Sequence, residues 1–305
     1  MNPLLETMLI LFAMMLIGFV ANKTKIMTEN TSKEISNIIL TITNPCLIIA
    51  SVLGDGINEM EINVFQLLLI GVLYYGFLIL FAKILVKFLP VKGHDATIYE
   101  FMLIFANIGY MGYPVFRSLF GEEAIFLSVL INMPFNLLIF SYGAYAFAKA
   151  AGVKENFHWK DLLSPGLVSS VIALVLYFMR LNVPEVVYQP LGQIGDATVP
   201  LSMLIIGFSL GQINLMEAFK DVATLGISFV RLIILPVVVF FILRIFVQDP
   251  FLLQLVTINA ALPSASLIVV FATKYDVQVK ISTVGIFLTT LFSIISIPFI
   301  GILLF

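Results

Sequence analysis

The stretch ANIGYMGYPVF at residues 106–116 decides the fold when it is read beside INAALPSASLIVV at 258–270. Each lies in an apolar segment long enough for a helix, and each is interrupted. In the first, Gly109, Tyr110, Gly112 and Pro114 follow Asn107; in the second, Pro263, Ser264 and Ser266 follow Asn259. Glycine weakens a helix, and proline removes a backbone donor while its ring presses on the preceding turn. In hydrocarbon such a break survives only where the freed backbone is buried in protein or lines a cavity. Asn107 and Asn259 are 152 residues apart, and Pro114 and Pro263 are 149 apart. A further pair behaves alike: Pro45 in TITNPCLIIASVLGD (41–55) and Pro200 in DATVPLSMLIIGFSLG (196–211) are 155 apart. All three offsets are close to half of the 305 residues. The chain therefore reads as two similar halves.

The composition sets the solvent. Apolar residues make up 61% of the chain and charged residues 11%, against about 45–50% and about 25% in an ordinary soluble domain. The mean hydropathy is +1.10. A soluble core of this length cannot hide so much apolar surface, so the bilayer is the solvent for most of the chain. A net charge of −2 gives nothing for nucleic acid to bind. The one cysteine, Cys46, excludes an internal disulfide and a multi-cysteine metal centre. No cofactor is implied. The opening MNPLLETMLILFAMMLIGFVA has no basic region ahead of its apolar run and reads as a first span, not a signal peptide.

Apolar runs separated by polar clusters give ten spans: 4–21, 34–53, 62–89, 96–117, 121–148, 162–181, 191–211, 217–246, 250–274 and 279–305. Loop charges test the count. Lys23, Lys25, Lys33, Lys83, Lys87, Lys92, Lys149, Lys154, Lys160, Lys220, Lys274 and Lys280 fall on one side, twelve in all; only Arg117, Arg180 and Arg244 fall on the other. Positive residues mark the cytoplasmic side. The expectation is a multi-pass protein of the plasma membrane (a bacterial inner membrane) with both termini outside. The acidic loop GDGINEMEI at 54–62 then faces outward, and Trp159, His158 and Lys160 sit at a cytoplasmic interface. Five spans is an odd number, so the second half must enter from the opposite side, which makes an inverted repeat. The expected domains are 1–149 and 162–305, one five-helix repeat each, joined by a short cytoplasmic loop at 150–161.

At this level the motifs resemble a known family. ANIGYMGYPVFRSLFGEEAIFLSVLINMPFN (106–136) is similar to the fourth and fifth helices of the auxin efflux carrier family, and TVPLSMLIIGFSLG (198–211) to its seventh. NAALPSASLIVVFATKYD (259–276) and STVGIFLTTLFSIISIP (282–298) resemble its ninth and tenth. The resemblance covers nearly the whole chain. It implies an all-α membrane protein of ten helices in two inverted five-helix repeats, with helices four and nine broken and crossed at their prolines. One part would be a scaffold, often dimeric, so a homodimer is expected; the crossing bundle would be the moving unit. The family includes plant auxin exporters and bacterial malate and malonate permeases. It implies that Asn107, Pro114 and Pro263 form the crossover, that Asn44 and Pro45 line the substrate pocket, and that Asn132 and Asn136 of the fifth helix face it.

From the residues themselves, two breaks at matching positions point to a midplane site, and half-helix N-termini suit an anion. Tyr110, Gly112, Asn259, Ser264 and Ser266 would bind there. Arg231, in LGISFVRLIILPVVVF (225–240), is the one charge central to a span. Such an arginine costs about 2.5–3.5 kcal/mol on insertion scales. It is either a counter-charge for an anionic substrate or a structural partner for a buried acid or for helix-end carbonyls. Asp196 and Glu100 are proton-relay candidates, or else acids placed at helix starts. Gly207 and Gly211 form a GxxxG that favours close helix contact. The expected function is a secondary carrier for a small organic anion such as a carboxylate, working by alternating access, with a proton or sodium co-ion open. A cation-coupled symporter of another solute and a ligand-binding membrane sensor are the alternatives. No span holds a histidine or a metal motif, so no enzyme is expected.

Overall fold

A computed structural model describes residues 3–53, 63–89, 94–153, 163–180, 183–212 and 218–305. The readings of the 54–62 loop and of Lys92, Lys154, His158, Trp159 and Lys160 lie outside the described residues.

The described chain is helical and forms no strand. The helices are α1 (Pro3–Lys23), α2 (Glu29–Ile38), α3 (Asn44–Ala50), α4 (Val64–Phe88), α5 (His94–Ile104), α6 (Tyr113–Phe120), α7 (Glu123–Leu138) and α8 (Ala144–Ala151). They continue with α9 (Pro165–Met179), α10 (Glu185–Asp196), α11 (Thr198–Gln212), α12 (Val222–Phe229), α13 (Leu235–Phe246), α14 (Pro250–Ala261), α15 (Leu267–Lys274) and α16 (Val279–Leu304). Helix is found in every one of the apolar segments. Among the described residues, five continuous helical runs are long and apolar enough to cross a membrane: Val64–Phe88, Glu123–Ala151, Glu185–Gln212, Val222–Phe246 and Val279–Leu304. The chain is an all-α, multi-pass membrane protein.

Several junctions between helices are wide π turns, at Ile39–Thr43, Ile108–Gly112, Ile139–Gly143 and Val230–Ile234. The first, second and last of these run into Pro45, Pro114 and Pro236, each at the second position of the next helix. A proline ring clashes with the carbonyl four residues back, and a wider turn relieves that clash. Local sequence thus accounts for where these spans change their winding.

The chain forms two compact units. The first comprises Met1–Gly71, Gly109–Asn136 and Leu163–Gln212; the second comprises Val72–Ile108, Leu137–Leu162 and Ile213–Phe305. In the first, α1 and α11 lie side by side and parallel at backbone contact. A Cβ on Gly207 would stand 1.8 Å from the Met15 carbonyl oxygen, and one on Gly18 would stand 2.2 Å from that of Leu204. The GxxxG reading as a helix contact therefore holds at Gly207. At the other end of α11, Lys23 Nζ donates to the Gly211 carbonyl at 2.7 Å. The α10 helix packs on α3, and just beyond its end the Thr198 hydroxyl donates to that of Thr43 at 2.8 Å. In the second unit, Phe101 stacks with Tyr142 at 5.5 Å and meets Phe147 edge-on at 5.0 Å, which ties α5 to the fifth apolar segment.

Candidate functional site

The second unit contains both interruptions that the sequence singled out. Between α5 and the following π turn, residues 105–107 are unwound; between α14 and α15, residues 262–266 are unwound. The two unwound pieces pair with each other. Ala106 and Ser264 form an antiparallel bridge, in which the Asn107 amide donates to the Pro263 carbonyl and the Ala265 amide to the Phe105 carbonyl, both at 2.8 Å. Proline 263 has no amide to give, but its carbonyl is the acceptor the bridge needs.

A broken helix in an apolar interior must account for every carbonyl it frees. Here side chains meet several of them. The Ser264 hydroxyl donates to the Met102 carbonyl at 2.9 Å. The Ser264 amide donates to the Thr289 hydroxyl oxygen of α16 at 3.2 Å. Arg231 supplies two more donors: its Nε donates to the Leu262 carbonyl at 3.1 Å and its Nη1 to the Leu103 carbonyl at 2.7 Å. Leu103 lies in the last turn of α5, and Leu262 caps the C-terminus of α14. One guanidinium thus holds the C-terminal ends of both half-helices.

Arg231 is 0% exposed. Burying a charge carries a penalty of several kcal/mol unless it is paired and hydrogen-bonded. No carboxylate pairs with it among the described residues; its partners are peptide carbonyls at two helix C-termini. Each such end carries roughly half a negative charge, so two ends offset about one cation. The π turn at Val230–Ile234 places the residue, and Pro236 accounts for that turn. Nη2 is buried without a hydrogen-bond partner. Tyr74 and Tyr75 of α4 lie near Arg231, and the buried Tyr74 hydroxyl stands beside the Asn259 side chain. Asn259 itself is 1% exposed. Ser266 stands at the N-cap of α15 without a side-chain cap bond. The second unit thereby gathers Asn107, Arg231, Asn259, Pro263, Ser264 and Ser266 around one junction.

The remaining candidates, Glu100 excepted, belong to the first unit. Asn44 and Pro45 open α3; the Asn44 Nδ2 donates to the Gly109 carbonyl at 3.3 Å, and its Oδ1 is buried without a hydrogen-bond partner. Tyr110 donates to the Ser36 carbonyl at 3.5 Å. Gly112 caps α6, and Pro114 is buried in its first turn. Asn132 turns back on its own helix, donating to the Ser128 carbonyl at 2.8 Å. Asn136 ends this unit's share of α7, and its side chain lies outside the described residues. The Asp196 carboxylate is ion-paired to Arg117, which also holds Glu122. Glu100, in the second unit, accepts from the Tyr142 hydroxyl at 3.4 Å, with Lys83 5.2 Å above the Tyr142 ring.

Sequence reading missed Tyr74, Tyr75, Tyr142 and Thr289, which lie in apolar runs without a distinctive pattern. It also missed Thr43 and Thr198, although a signal for them existed. Each lies two residues before a matched proline, and they share the 155-residue offset of Pro45 and Pro200.

Residues 3–301 match the family described as "Membrane transport protein". An "Uncharacterized transporter" of Methanocaldococcus jannaschii is 25% identical over 305 residues, covering 97% of each chain. One of Methanothermobacter thermautotrophicus is 23% identical over 308 residues, covering 98% of each. A Rhizobium meliloti protein described as "Putative malonate transporter" is 23% identical over 268 residues, covering 85% of this chain and 83% of its own.

Proposed function

Because the chain belongs to the membrane transport protein family, the auxin efflux carrier family that its motifs resemble, we propose that it is a secondary carrier for a small organic anion, a mono- or dicarboxylate. It works by alternating access at a midplane site, through ten spans in two inverted five-helix repeats. It resides in the plasma membrane as a homodimer with both termini outside. The observation that carries the reading is the junction in the second unit, where Arg231 holds the ends of two broken helices. Broken helices at matching places are how secondary transporters build a site in the bilayer. With both C-terminal ends neutralised by Arg231, the positive N-terminus of α15 is the end left to face an anion.

Further features support parts of the reading. The Thr43–Thr198 bond joins positions 155 residues apart, the offset of the matched prolines, which supports a relation between the two halves. The name of the Rhizobium meliloti relative supports a carboxylate substrate. Asn44, with a buried amide oxygen left unbonded, is the polar group of the first unit best placed to meet a substrate. Glu100 and Asp196 are the proton-relay positions.

The test is flux into proteoliposomes. Labelled malonate, malate, lactate and an indole acid are offered while membrane potential, proton gradient and sodium gradient are imposed one at a time. Uptake of at least one carboxylate above protein-free vesicles supports the reading; no movement of any carboxylate under any gradient rejects it.

A further inference from the structure

The carbonyl oxygens of Leu103 and Leu262 have the chemistry of a monovalent cation site. They are oxygens of two broken helices, each at the negative end of a helix dipole, and both are buried. In transporters built on broken helices, unwound carbonyls and half-helix C-termini are what coordinate a coupling cation such as sodium. In this chain those oxygens are already engaged, by Nη1 at 2.7 Å and Nε at 3.1 Å of one arginine. We propose that Arg231 is a tethered cation: it permanently occupies a monovalent-cation site at the junction of the two broken helices, so the protein neither binds nor requires a free sodium ion there.

Four observations converge on this. The charges match, since two half-charged helix ends balance about one positive charge. The geometry suits a guanidinium, whose donors are held in one rigid plane and which stays charged at all accessible pH values; here Nε and Nη1 point different ways and take one carbonyl each. No acidic side chain pairs with Arg231 among the described residues, so its counter-charge is the helix ends themselves. Finally, the residue arises from a π turn ahead of Pro236, a feature of its own helix that aims it at the junction. An arginine kept only for packing would be replaceable by an apolar side chain at little penalty; one that stands in for an ion would not be.

The inference deepens the carrier reading by fixing its ion requirement, and only its flux measurement rests on that reading. The thermal unfolding midpoint of the full-length protein in nanodiscs is measured in sodium chloride, potassium chloride and N-methylglucamine chloride at equal ionic strength. The wild-type midpoint is expected to be the same in all three, and carboxylate counterflow to agree within about twofold. A saturable rise of the wild-type midpoint or flux with sodium or potassium overturns the proposal. In Arg231→Ala the vacated oxygens are expected to accept an added cation, so millimolar sodium or methylguanidinium raises the midpoint of the variant and leaves wild type unmoved. A folded Arg231→Ala that responds to no cation also overturns it; if that variant does not fold, the wild-type comparison decides. A protein that moves no carboxylate, yet has a sodium-insensitive midpoint and a cation-rescued variant, rejects the carrier reading and supports the tethered cation.

Discussion

The Nη1 of Arg231 reaches the carbonyl oxygen of Leu103, 128 residues away in the chain, at 2.7 Å. Together with the bond from Nε to Leu262, it fixes the ends of two half-helices to a third span. Removing the side chain leaves two buried carbonyls without donors, at about 1–3 kcal/mol each. Arg231→Gln is therefore expected to lower unfolding stability by about 2–6 kcal/mol and to abolish carboxylate flux in the fraction that folds. Fluorescence-detected unfolding and proteoliposome uptake on the same preparation check it. A variant as stable as wild type would remove Arg231 from the junction.

Thr289 accepts the Ser264 amide, and valine is its nearest shape without the acceptor. Thr289→Val leaves that amide buried and unpaired, which should lower stability by about 1–3 kcal/mol. Thr289→Ser keeps the oxygen and should stay close to wild type. Ser264→Ala tests the neighbouring bond to Met102 with an expected loss in the same range. Equal effects of Val and Ser at position 289 would show that the hydroxyl is not what matters there.

The Thr43–Thr198 bond is suited to a double-mutant cycle. Thr43→Val and Thr198→Val should each cost about 1 kcal/mol, and the double variant should fall short of their sum by about 0.5–1.5 kcal/mol. Strict additivity in chemical denaturation would mean that the two hydroxyls do not interact.

Gly207 has no room for a side chain, since a Cβ would sit 1.8 Å from a backbone oxygen of α1. Gly207→Val is expected to prevent folding, seen as loss of the monodisperse peak in detergent chromatography. Gly192→Ala, where a Cβ meets nothing within 4 Å, is the control and should be tolerated.

Glu100 hydrogen-bonds to Tyr142 and is the one relay candidate in the same unit as the junction. If protons drive the carrier through it, Glu100→Gln retains uptake driven by membrane potential and loses uptake driven by a proton gradient. Retention of both would take Glu100 out of the coupling.

The sequence disclosed the architecture where it rests on one-dimensional signals. Apolar length marked the helices, and Pro114 and Pro263 marked the breaks, because a missing amide is written in the residue type. Pro236 carries a signal of the same kind beside Arg231, which sequence reading did not use. What the breaks do with their carbonyls was not legible. The acceptors at Leu103 and Leu262 are backbone atoms under leucines, and their donor lies in another span. The outcome at Arg231 shows the limit well: a central arginine in an apolar span signals a partner, but residue type alone cannot separate a substrate from helix-end carbonyls. Thr43 and Thr198 are the opposite case. They are 155 residues apart, the offset that already paired Pro45 with Pro200, so their pairing could have been looked for.

The most direct test of the central claim is solute counterflow. Vesicles holding the purified full-length protein are loaded with unlabelled malonate and diluted into a trace of labelled malonate, malate or lactate, with no potential, proton or sodium gradient. A carrier that exposes one site alternately to the two sides should accumulate the label transiently above equilibrium for at least one of these carboxylates, in sodium-free buffer as in sodium. A protein that binds a labelled carboxylate yet shows no counterflow of any of them would be a sensor and would contradict the account.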